Sequence, residues 1–334
     1  MTGRLVVVSN RIPTEAEPSG GLVVALHECL KEEGGLWIGA APDPVEVPSE
    51  GLTQIGAGPY RRMTFDITGE EREGFYLGYA NGVLWPLFHR RSDLIAVRPA
   101  HAESYRGVNA RLARLLAAEL EPDDVLWIHD YHFLPLACEL RARGVENLIG
   151  FFLHTPFPLS GDLPALPERD AFHDWIAAYD LVGLQTERDV KAFLEVFRAD
   201  PESEILLNGR FRRKGETFCV GAFPIGIDAE AFEAEARANA QEDGLGLGPG
   251  QKLLIGVDRL DYSKGLVNRF EAFGTFLDMR EPAEPRATFL QIAPPSREDL
   301  EAYKDIRAEL EAMSGHVNGA HAAIDWTPIR YICR

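Results

Sequence analysis

The sequence predicts an α/β fold in which parallel strands alternate with crossover helices. Short runs of β-branched and other apolar residues alternate with stretches whose apolar residues recur every three or four positions. This is the pattern of parallel sheets with helices packed on them. A polar, Gly-rich stretch at 239–250 has the composition of a linker. With 334 residues, of which 46% are hydrophobic, the chain can form two domains, expected over 1–240 and 251–334.

The first series of elements begins with a strand at 5–9. A helix follows and stops at Gly34-Gly35, because glycine pairs commonly end helices. The apolar residues that define one face of this helix are Leu22, Leu26, Cys29 and Leu30. Later strands are predicted at 125–129, 148–154, 181–185 and 218–223. Helices between them are predicted around 108–116, 133–143 and 190–197.

The second series begins directly after the linker. It predicts strands at 253–257, 288–293 and 324–326, with helices at 266–279 and 300–313. Residues 251–334 fall short of the roughly 100–150 residues of a typical domain. A third strand at the end of the chain would also leave an open edge on a parallel sheet. We therefore expect the second domain to be incomplete in this chain.

Charge and cysteine content limit the kinds of partner and location. The 52 acidic residues exceed the 34 basic ones, giving a net charge of −18, which argues against nucleic acid or an anionic membrane as partner. The four cysteines are widely spaced and are interpreted as reduced thiols. No apolar run is long enough to cross a bilayer. These features predict a cytoplasmic protein. No cofactor is expected, and the oligomeric state stays open, a homo-oligomer included.

Ligands of open α/β sheets bind beyond the carboxyl ends of the strands, so residues at those ends are the first candidates. Arg11 follows the first strand, and Gly20 and Gly21 open the next helix, whose free N–H groups can face a phosphate. The alternative is that the glycines only form a turn. The segment matches neither the dinucleotide-binding nor the P-loop pattern, which disfavours a nicotinamide dehydrogenase.

Two later strand ends carry a carboxylate and histidines. Asp130, in the segment 129–132, can accept hydrogen bonds from sugar hydroxyls; capping of the following helix is the alternative. Metal binding by His129 and His132 is disfavoured, because their spacing suits a helix face and here a strand ends. His154 follows the next strand, and a buried or rim position is its alternative interpretation.

The second series adds cations at its strand ends. Arg259 and Lys264 can bind a diphosphate and stabilise the charge that develops as it leaves. An exposed turn at Arg259 and Asp261 is the alternative. Arg297 follows the next strand and is either a solvated surface arginine or, with Arg11, part of a second phosphate site. Two phosphate sites indicate two substrates.

Five segments occurring in order resemble a single family, the retaining glucosyltransferases that make trehalose 6-phosphate. They are LVVVSNR at 5–11, NGVLWP at 81–86, WIHDYH at 127–132, GFFLHTPFP at 150–158 and RLDYSKG at 259–265. The resemblance runs from Arg4 to the last residue. It implies two Rossmann-like domains of the GT-B type facing a cleft, the first binding the acceptor and the second the nucleotide sugar.

The resemblance also implies residue roles. The positions expected to bind the acceptor, glucose 6-phosphate, are Arg11, Tyr76, Trp85, Asp130 and Arg297. The positions expected to bind the donor, UDP-glucose, are Gly20, Gly21, Trp37, His154, Arg259 and Lys264, with Trp37 in a loop near the glycines. The residues expected to take part in catalysis are Arg259, Lys264, Asp130 and His154. The implied mechanism uses no metal, and the acceptor attacks from the face that the diphosphate leaves, so that configuration is retained.

Two alternatives stay open at this point. A glucosylglycerol-phosphate synthase would share the fold and the cations but use glycerol 3-phosphate; Tyr76 and Trp85 beside a phosphate site favour a hexose phosphate. A catalytically silent homologue that only binds sugar phosphates is the second alternative. The family carries acidic donor-binding residues in a later segment, so the isolated chain is expected to bind donor poorly.

Overall fold

The computed structural model describes residues 3–13, 21–56, 58–240, 248, 250–281 and 284–334. The chain divides into two compact units, unit 1 (Met1–Gly226) and unit 2 (Ile227–Arg334). The division lies upstream of the predicted linker at 239–250, of which 241–247 and 249 fall outside the described residues. Each unit combines a parallel sheet with helices. The predicted α/β class is therefore confirmed.

Unit 1 is built on one large sheet. Its strands in the described residues are β1 Leu5–Val8, β2 Leu36–Ala40, β3 Thr53–Gln54, β4 Arg61–Phe65, β5 Val125–His129, β6 Leu148–Phe152, β7 Leu181–Leu184, β8 Ser203–Ile205, β9 Arg210–Arg213 and β10 Glu216–Ala222. They lie in the order β3-β4-β2-β1-β5-β6-β7-β10-β9-β8. The interior strands pair in parallel, and antiparallel pairs occur only at the two edges among these strands.

The centre of this sheet is buried on both faces, which explains its sequence. Val6, Val7 and Val8 of β1 are all fully buried, as expected of a strand with layers on each side. β1 pairs with β2 on one side and β5 on the other, with Val7 opposite both Trp37 and Trp127. The carboxyl ends of β1, β5 and β6 therefore reach the same edge, where the candidate residues were expected.

The helices of unit 1 connect and cover these strands. In the described residues they are α1 Gly21–Glu33, α2 Gly69–Glu71, α3 Trp85–Phe88, α4 Pro99–Glu119, α5 Leu136–Arg141, α6 Arg169–Ala177 and α7 Glu187–Ala199. The predicted face of α1 is partly correct: Leu26 and Leu30 are buried. The predicted stop is confirmed, because Gly34 has φ 75° and its N–H donates to the Leu30 carbonyl at 3.0 Å.

A wide helical segment, Arg72–Leu84, joins α2 to α3 and has π-helical turns. It begins after a capping box in which Thr68 and Glu71 satisfy each other's backbone N–H groups. Inside it, the Asn81 side-chain amide donates to the Tyr76 carbonyl at 2.8 Å. Wide turns of this kind are rare and often occur at functional sites. The segment brings Tyr76 and, at its end, Trp85 onto one helical stretch.

Unit 2 contains a smaller parallel sheet of β11 Lys252–Val257, β12 Ala287–Ile292 and β13 Ile329–Ile332 in its described residues. Its helices there are α8 Ala229–Ala238, α9 Leu266–Met279 and α10 Glu301–His321. The core between sheet and helices includes Leu266, Phe270, Phe273, Phe289 and Leu310. Among the described helices of the chain, none has both the length and the apolar character that a membrane span requires.

The third strand of unit 2 was predicted in the wrong place. Residues 324–326 contain only an isolated bridge from Ala323 to Trp326, and Ile324 is fully exposed. Trp326 is buried, and its indole N–H donates to Thr288 Oγ1 at 3.1 Å, so its apolar character reflects packing on the sheet. The strand itself begins after Pro328, whose carbonyl accepts from the Phe289 N–H at 2.7 Å.

Candidate active site

The loop after β1 is held by the hydroxyl of Ser9. This side chain is buried, accepts a hydrogen bond from Trp37 Nε1 at 2.8 Å and donates to the Arg11 carbonyl at 2.7 Å. The Arg11 side chain is exposed and lies 3.4 Å from the Tyr76 hydroxyl, as measured from Nη2. Two residues predicted to bind the acceptor phosphate are thus brought together, although they are 65 positions apart.

Trp37 does not lie in a loop, as was predicted. It lies inside β2 and is fully buried, where it packs with Val7, Leu26 and Leu30. The reason is that β2 is an interior strand paired with both β1 and β4, so its apolar residues belong to the core. Trp37 contacts the site through its hydrogen bond to Ser9.

Of the two glycines predicted to open the first helix, Gly20 and Gly21, the structure describes only the second. Gly20 lies outside the described residues. Gly21 is the first residue of α1, is exposed, and has open space where a side chain would begin. The backbone at the start of α1 is therefore accessible, which suits the predicted contact with a phosphate.

Aromatic rings form a wall beside Arg11. The Tyr76 and His132 rings are stacked, with centroids 5.7 Å apart and planes at 11°. Trp85 is buried, and its ring centroid lies 5.7 Å from that of Tyr131. The Tyr131 hydroxyl donates to Asn81 Oδ1 at 3.0 Å. This hydrogen bond joins the loop after β5 to the wide helical segment. It thereby helps to fix the predicted acceptor residues Tyr76 and Trp85.

Asp130 has an unusual backbone conformation at the carboxyl end of β5. Its φ is 73°, in the left-handed region that non-glycine residues adopt only at a cost of about 1–3 kcal/mol. Its N–H donates to the Phe152 carbonyl at 2.8 Å, and its carboxylate accepts from the His154 N–H at 3.4 Å. The side chain makes no capping hydrogen bond to the short turn that follows, so the helix-capping alternative is wrong. Strain of this kind is concentrated at active sites.

His154 lies beside a second buried histidine. His129 Nδ1 and His154 Nε2 are 2.9 Å apart. Burial lowers the pKa of His154 from 6.5 to about 4. Burial, and then the neighbouring His154, lower the pKa of His129 well below its usual range, because a charged imidazole is poorly solvated there. At neutral pH both rings are uncharged and act as hydrogen-bond donors or acceptors rather than as cations.

Stability is expected to fall as the pH drops from about 6.5 to about 4. Both histidines titrate near 6.5 in the unfolded chain, and their pKa is lower in the folded protein. The unfolded state therefore binds more protons in this window. The contribution is fully present above pH 6.5, and for His154 it is at most about 3 kcal/mol. Urea unfolding at several pH values, compared with a His154→Asn variant, measures it. Equal pH dependence in both proteins would contradict the prediction.

In unit 2, the loop after β11 is organised around a buried carboxylate. Asp261 is fully buried; its Oδ2 accepts from Arg297 Nη1 at 3.2 Å and from the Tyr303 hydroxyl at 2.9 Å. Its Oδ1 accepts from the Ser263 N–H at 2.9 Å. The exposed-turn alternative is thus wrong at Asp261. Arg297 is also not a solvated surface residue, because its side chain is 6% exposed; acceptor binding by Arg297 stays a prediction.

Arg259 and Lys264 flank this anchored carboxylate, and both are exposed. Lys264 ends a short turn, Tyr262–Lys264, after which Gly265 has φ 62° and α9 begins. Glycine is suited to this left-handed position. The first N–H groups of α9 add partial positive charge next to Lys264. The loop therefore presents two cations at the carboxyl end of β11, as the diphosphate prediction requires.

The sequence profile of Glycosyltransferase family 20 matches residues 4–334. The chain belongs to this family. It is 41% identical to the trehalose-6-phosphate synthase of Cronobacter sakazakii over 98% of its own length and 70% of that relative. The family membership confirms the resemblance seen in the sequence, and the chain is a glycosyltransferase.

Solved structures agree with this membership. An α,α-trehalose-phosphate synthase (UDP-forming) from Burkholderia vietnamiensis matches with a TM-score of 0.94 and 40% identity, over 100% of this chain and 73% of that one. The corresponding enzyme from Burkholderia xenovorans, in complex with glucose-6-phosphate, matches with a TM-score of 0.91 and 40% identity, over 99% of this chain and 75% of that one. The fold of this family-20 chain is thus the GT-B fold of these synthases.

The structure adds residues that sequence reasoning missed. Asn81 and Tyr303 fix the predicted residues by side-chain hydrogen bonds. His129 and Asp261 were inside the recognised segments but had no assigned role. Their burial is the decisive feature, and a single sequence carries no signal for it beyond their position after apolar strands. Within the described part of the chain, no group of three or more His, Cys, Asp or Glu side chains is arranged to hold a metal ion.

Proposed function

We propose that this protein transfers glucose from UDP-glucose to glucose 6-phosphate, giving α,α-trehalose 6-phosphate and UDP with retention of configuration. The observation that carries the proposal is the approach of Arg11 to Tyr76 at 3.4 Å, together with the strained Asp130 at the same edge of the sheet. An exposed guanidinium suits a phosphate, and a carboxylate at the same sheet edge suits sugar hydroxyls. The names of the relatives support both substrates, since one is UDP-forming and another contains glucose-6-phosphate.

In this proposal unit 1 binds the acceptor. The Arg11 guanidinium pairs with the phosphate of glucose 6-phosphate, and Tyr76 and Trp85 form the aromatic side of the site. Asp130 accepts hydrogen bonds from the sugar hydroxyls. Its backbone is fixed by the Phe152 carbonyl, so the carboxylate does not have to be ordered when the sugar binds. Fixed groups of this kind lower the entropic cost of orienting a substrate.

Unit 2 binds the leaving group in the same proposal. As the bond between glucose and UDP breaks, negative charge develops on the diphosphate. Arg259 offers a planar, permanently charged donor and Lys264 a point charge, and both stabilise that charge more strongly in the transition state than in the ground state.

Two residues of unit 1 are also proposed to bind the donor. Neutral His154 can donate or accept a hydrogen bond beside the transferred glucose. Gly21, at the exposed start of α1, adds a backbone N–H for a phosphate.

The cytoplasmic location is part of this proposal. All four cysteines, Cys29, Cys138, Cys219 and Cys333, are free thiols, and burial raises the pKa of Cys138 to about 11, which keeps it protonated and unreactive. Reduced thiols are typical of the cytoplasm.

The test is release of UDP from UDP-glucose with glucose 6-phosphate or glycerol 3-phosphate added in turn. Release that depends on glucose 6-phosphate, with an α,α-linked product by NMR, supports the proposal. Release that depends on glycerol 3-phosphate would instead identify a glucosylglycerol-phosphate synthase. Binding of glucose 6-phosphate is measured separately by calorimetry. Binding without turnover would fit either a silent sugar-phosphate-binding homologue or the poor donor binding expected of this chain. Absence of both binding and turnover would overturn the acceptor assignment.

Arg11→Ala is expected to weaken glucose 6-phosphate binding at least about tenfold, since a charge-assisted contact to phosphate is lost. Calorimetric titration of the variant and the parent protein measures this change. Arg143→Ala is a matched control: this exposed arginine of the same unit lies just after α5 and pairs with Glu139 of that helix at 2.7 Å. Equal weakening by both substitutions would point to a general charge effect and contradict the assignment of Arg11.

A further inference from the structure

We propose that His129 is a positioning residue that holds His154 in the tautomer protonated on Nδ1, so that this N–H faces an oxygen of the transferred sugar. The proposal rests on the proposed function, in which His154 lies beside the glucose of the donor. It assigns a role to a residue that does not itself contact the substrate. It also defines which nitrogen of His154 is the donor.

The first observation is the placement of the two rings. His129, the last residue of β5, is 1% exposed. Its Nδ1 lies 2.9 Å from Nε2 of His154, just beyond β6. Ring centroids place Trp127 at 4.4 Å and Phe152 at 6.1 Å from His129. The imidazole is therefore packed against apolar rings, and its hydrogen bond is made to His154.

The second observation is the other nitrogen of His129. Its Nε2 is buried and has no hydrogen-bond partner among the described residues. A neutral imidazole has one N–H and one bare nitrogen, so the bond to His154 leaves two arrangements. If His154 were the donor, His129 would carry its proton on Nε2, as a buried N–H without an acceptor. If His129 donates from Nδ1, the buried Nε2 is a bare acceptor.

The second arrangement is favoured because buried N–H groups without an acceptor are the rarer defect in proteins. Both rings are uncharged at neutral pH, since burial lowers the pKa of each. His129 then donates from Nδ1, His154 accepts at Nε2, and the proton of His154 is on Nδ1. In the described residues, His154 Nδ1 has no hydrogen-bond partner, so this N–H is available to a ligand.

The backbone of His154 is fixed from the other side. Its N–H donates to the carboxylate of Asp130 at 3.4 Å, and Asp130 is itself held in a left-handed conformation. Both rings line one end of a groove of about 1030 Å³ in unit 1, together with Trp127, Phe152 and Phe223. The apolar lining of this groove keeps the pair neutral. A neutral, oriented N–H is suited to a hydroxyl or ring oxygen of a sugar.

The test uses proteins labelled with ¹⁵N at histidine. In the parent protein, the NMR signals of His154 should identify Nδ1 as protonated and Nε2 as bare. His129→Leu removes the donor, and His154 should shift toward the Nε2-protonated tautomer. His129→Asn keeps an N–H donor near the position of Nδ1 and should retain the parent tautomer. Finding His154 protonated on Nε2 in the parent, or unchanged in His129→Leu, would overturn the proposal.

Kinetics give a second measurement. His129→Leu should lower kcat for UDP release roughly tenfold, the lower end of the loss found when the partner that orients a metal-bound histidine is removed, with KM for glucose 6-phosphate unchanged. His129→Asn should recover most of the loss, whereas a purely structural role predicts no such recovery. If His129→Leu does not fold, the tautomer of His154 in the parent protein and in His129→Asn still tests the proposal. The NMR result does not need turnover, so failure of this proposal is distinguishable from failure of the proposed function.

Discussion

Lys264→Ala is expected to lower the rate of UDP release from UDP-glucose by about 100- to 1000-fold, the range found when one preorganised donor to a developing negative charge is removed. Lys264 is exposed at the end of the turn that precedes α9. The loop that carries it is fixed on one side by buried Asp261 and on the other by Gly265, whose φ is 62°. The backbone that carries the Lys264 side chain is therefore fixed before the diphosphate binds.

Arg259 is expected to contribute through both the charge and the planar shape of its guanidinium group. Arg259→Ala should cause a loss similar to that of Lys264→Ala. Arg259→Lys keeps the charge but loses the planar fork that binds two phosphate oxygens at once, so it should recover only part of the rate. Steady-state kinetics over a range of UDP-glucose concentrations separate effects on kcat from effects on KM.

Two controls test whether these effects are local. Lys304→Ala removes a charge in the same unit from a lysine that pairs with Glu301 at 3.2 Å, and should leave the rate unchanged. Binding of glucose 6-phosphate should also be unchanged by Lys264→Ala, because Lys264 is not among the residues predicted to bind the acceptor. A Lys264→Ala variant that retains more than about a tenth of the parent rate would contradict the proposed role of Lys264 at the diphosphate.

Much of the interior of the fold could be predicted from sequence because its strands are buried, although the interior strands β2 and β4 were not predicted. β5 was predicted with its observed bounds, and β1, β6, β7 and β10 to within a few residues. Each contains a short apolar run, which is typical of a strand in a parallel sheet. α9 was also predicted with its observed bounds, since its apolar residues recur with the helical period.

The sheet edges could not be predicted in the same way. β9 has the sequence Arg-Phe-Arg-Arg, which is not typical of a strand on composition. Its Arg213 is nonetheless buried, and pairs with Asp200 at 2.8 Å and with Asp174. These partners are 13 and 39 positions away. Ion pairs between residues this far apart in the sequence stabilise the strand, and the local sequence pattern gives no signal for them.

The residues of the candidate site also differ in how well sequence predicts them. Arg11, Asp130, His154 and Arg259 follow strands and were identified by position. The wide helical turns of Arg72–Leu84 were not predicted, because their apolar residues fit an ordinary helix as well. The Asp261 anchor was missed because its partners are 36 and 42 positions away. Position after a strand could therefore single out candidate ligand-binding residues, whereas the distant residues that hold them in place could not be found.

Asp261→Ala is expected to have the largest effect on stability, because Asp261 holds the loop that carries Arg259 and Lys264. The side chains of Asp261 and Arg297 are 0% and 6% exposed. Removing one partner of a buried ion pair leaves an uncompensated charge and costs about 3–5 kcal/mol. The Tyr303 hydroxyl and the Ser263 N–H would lose the same acceptor. Hydrogen exchange of peptides from β11 and β12 measures this loss in unit 2 directly, without assuming that the two units unfold together.

Comparison with other variants separates the buried charge from simple loss of packing. Tyr303→Phe removes one hydrogen bond and should cost only about 1 kcal/mol. Asp261→Ala combined with Arg297→Met removes both charges, and should be more stable than Asp261→Ala alone, because neither partner is then left buried and unpaired. If the double variant is instead less stable by the sum of the two single effects, the ion pair does not anchor the loop. Arg259 and Lys264 would then be positioned by packing of Leu260 and Leu266, both buried in the core of unit 2.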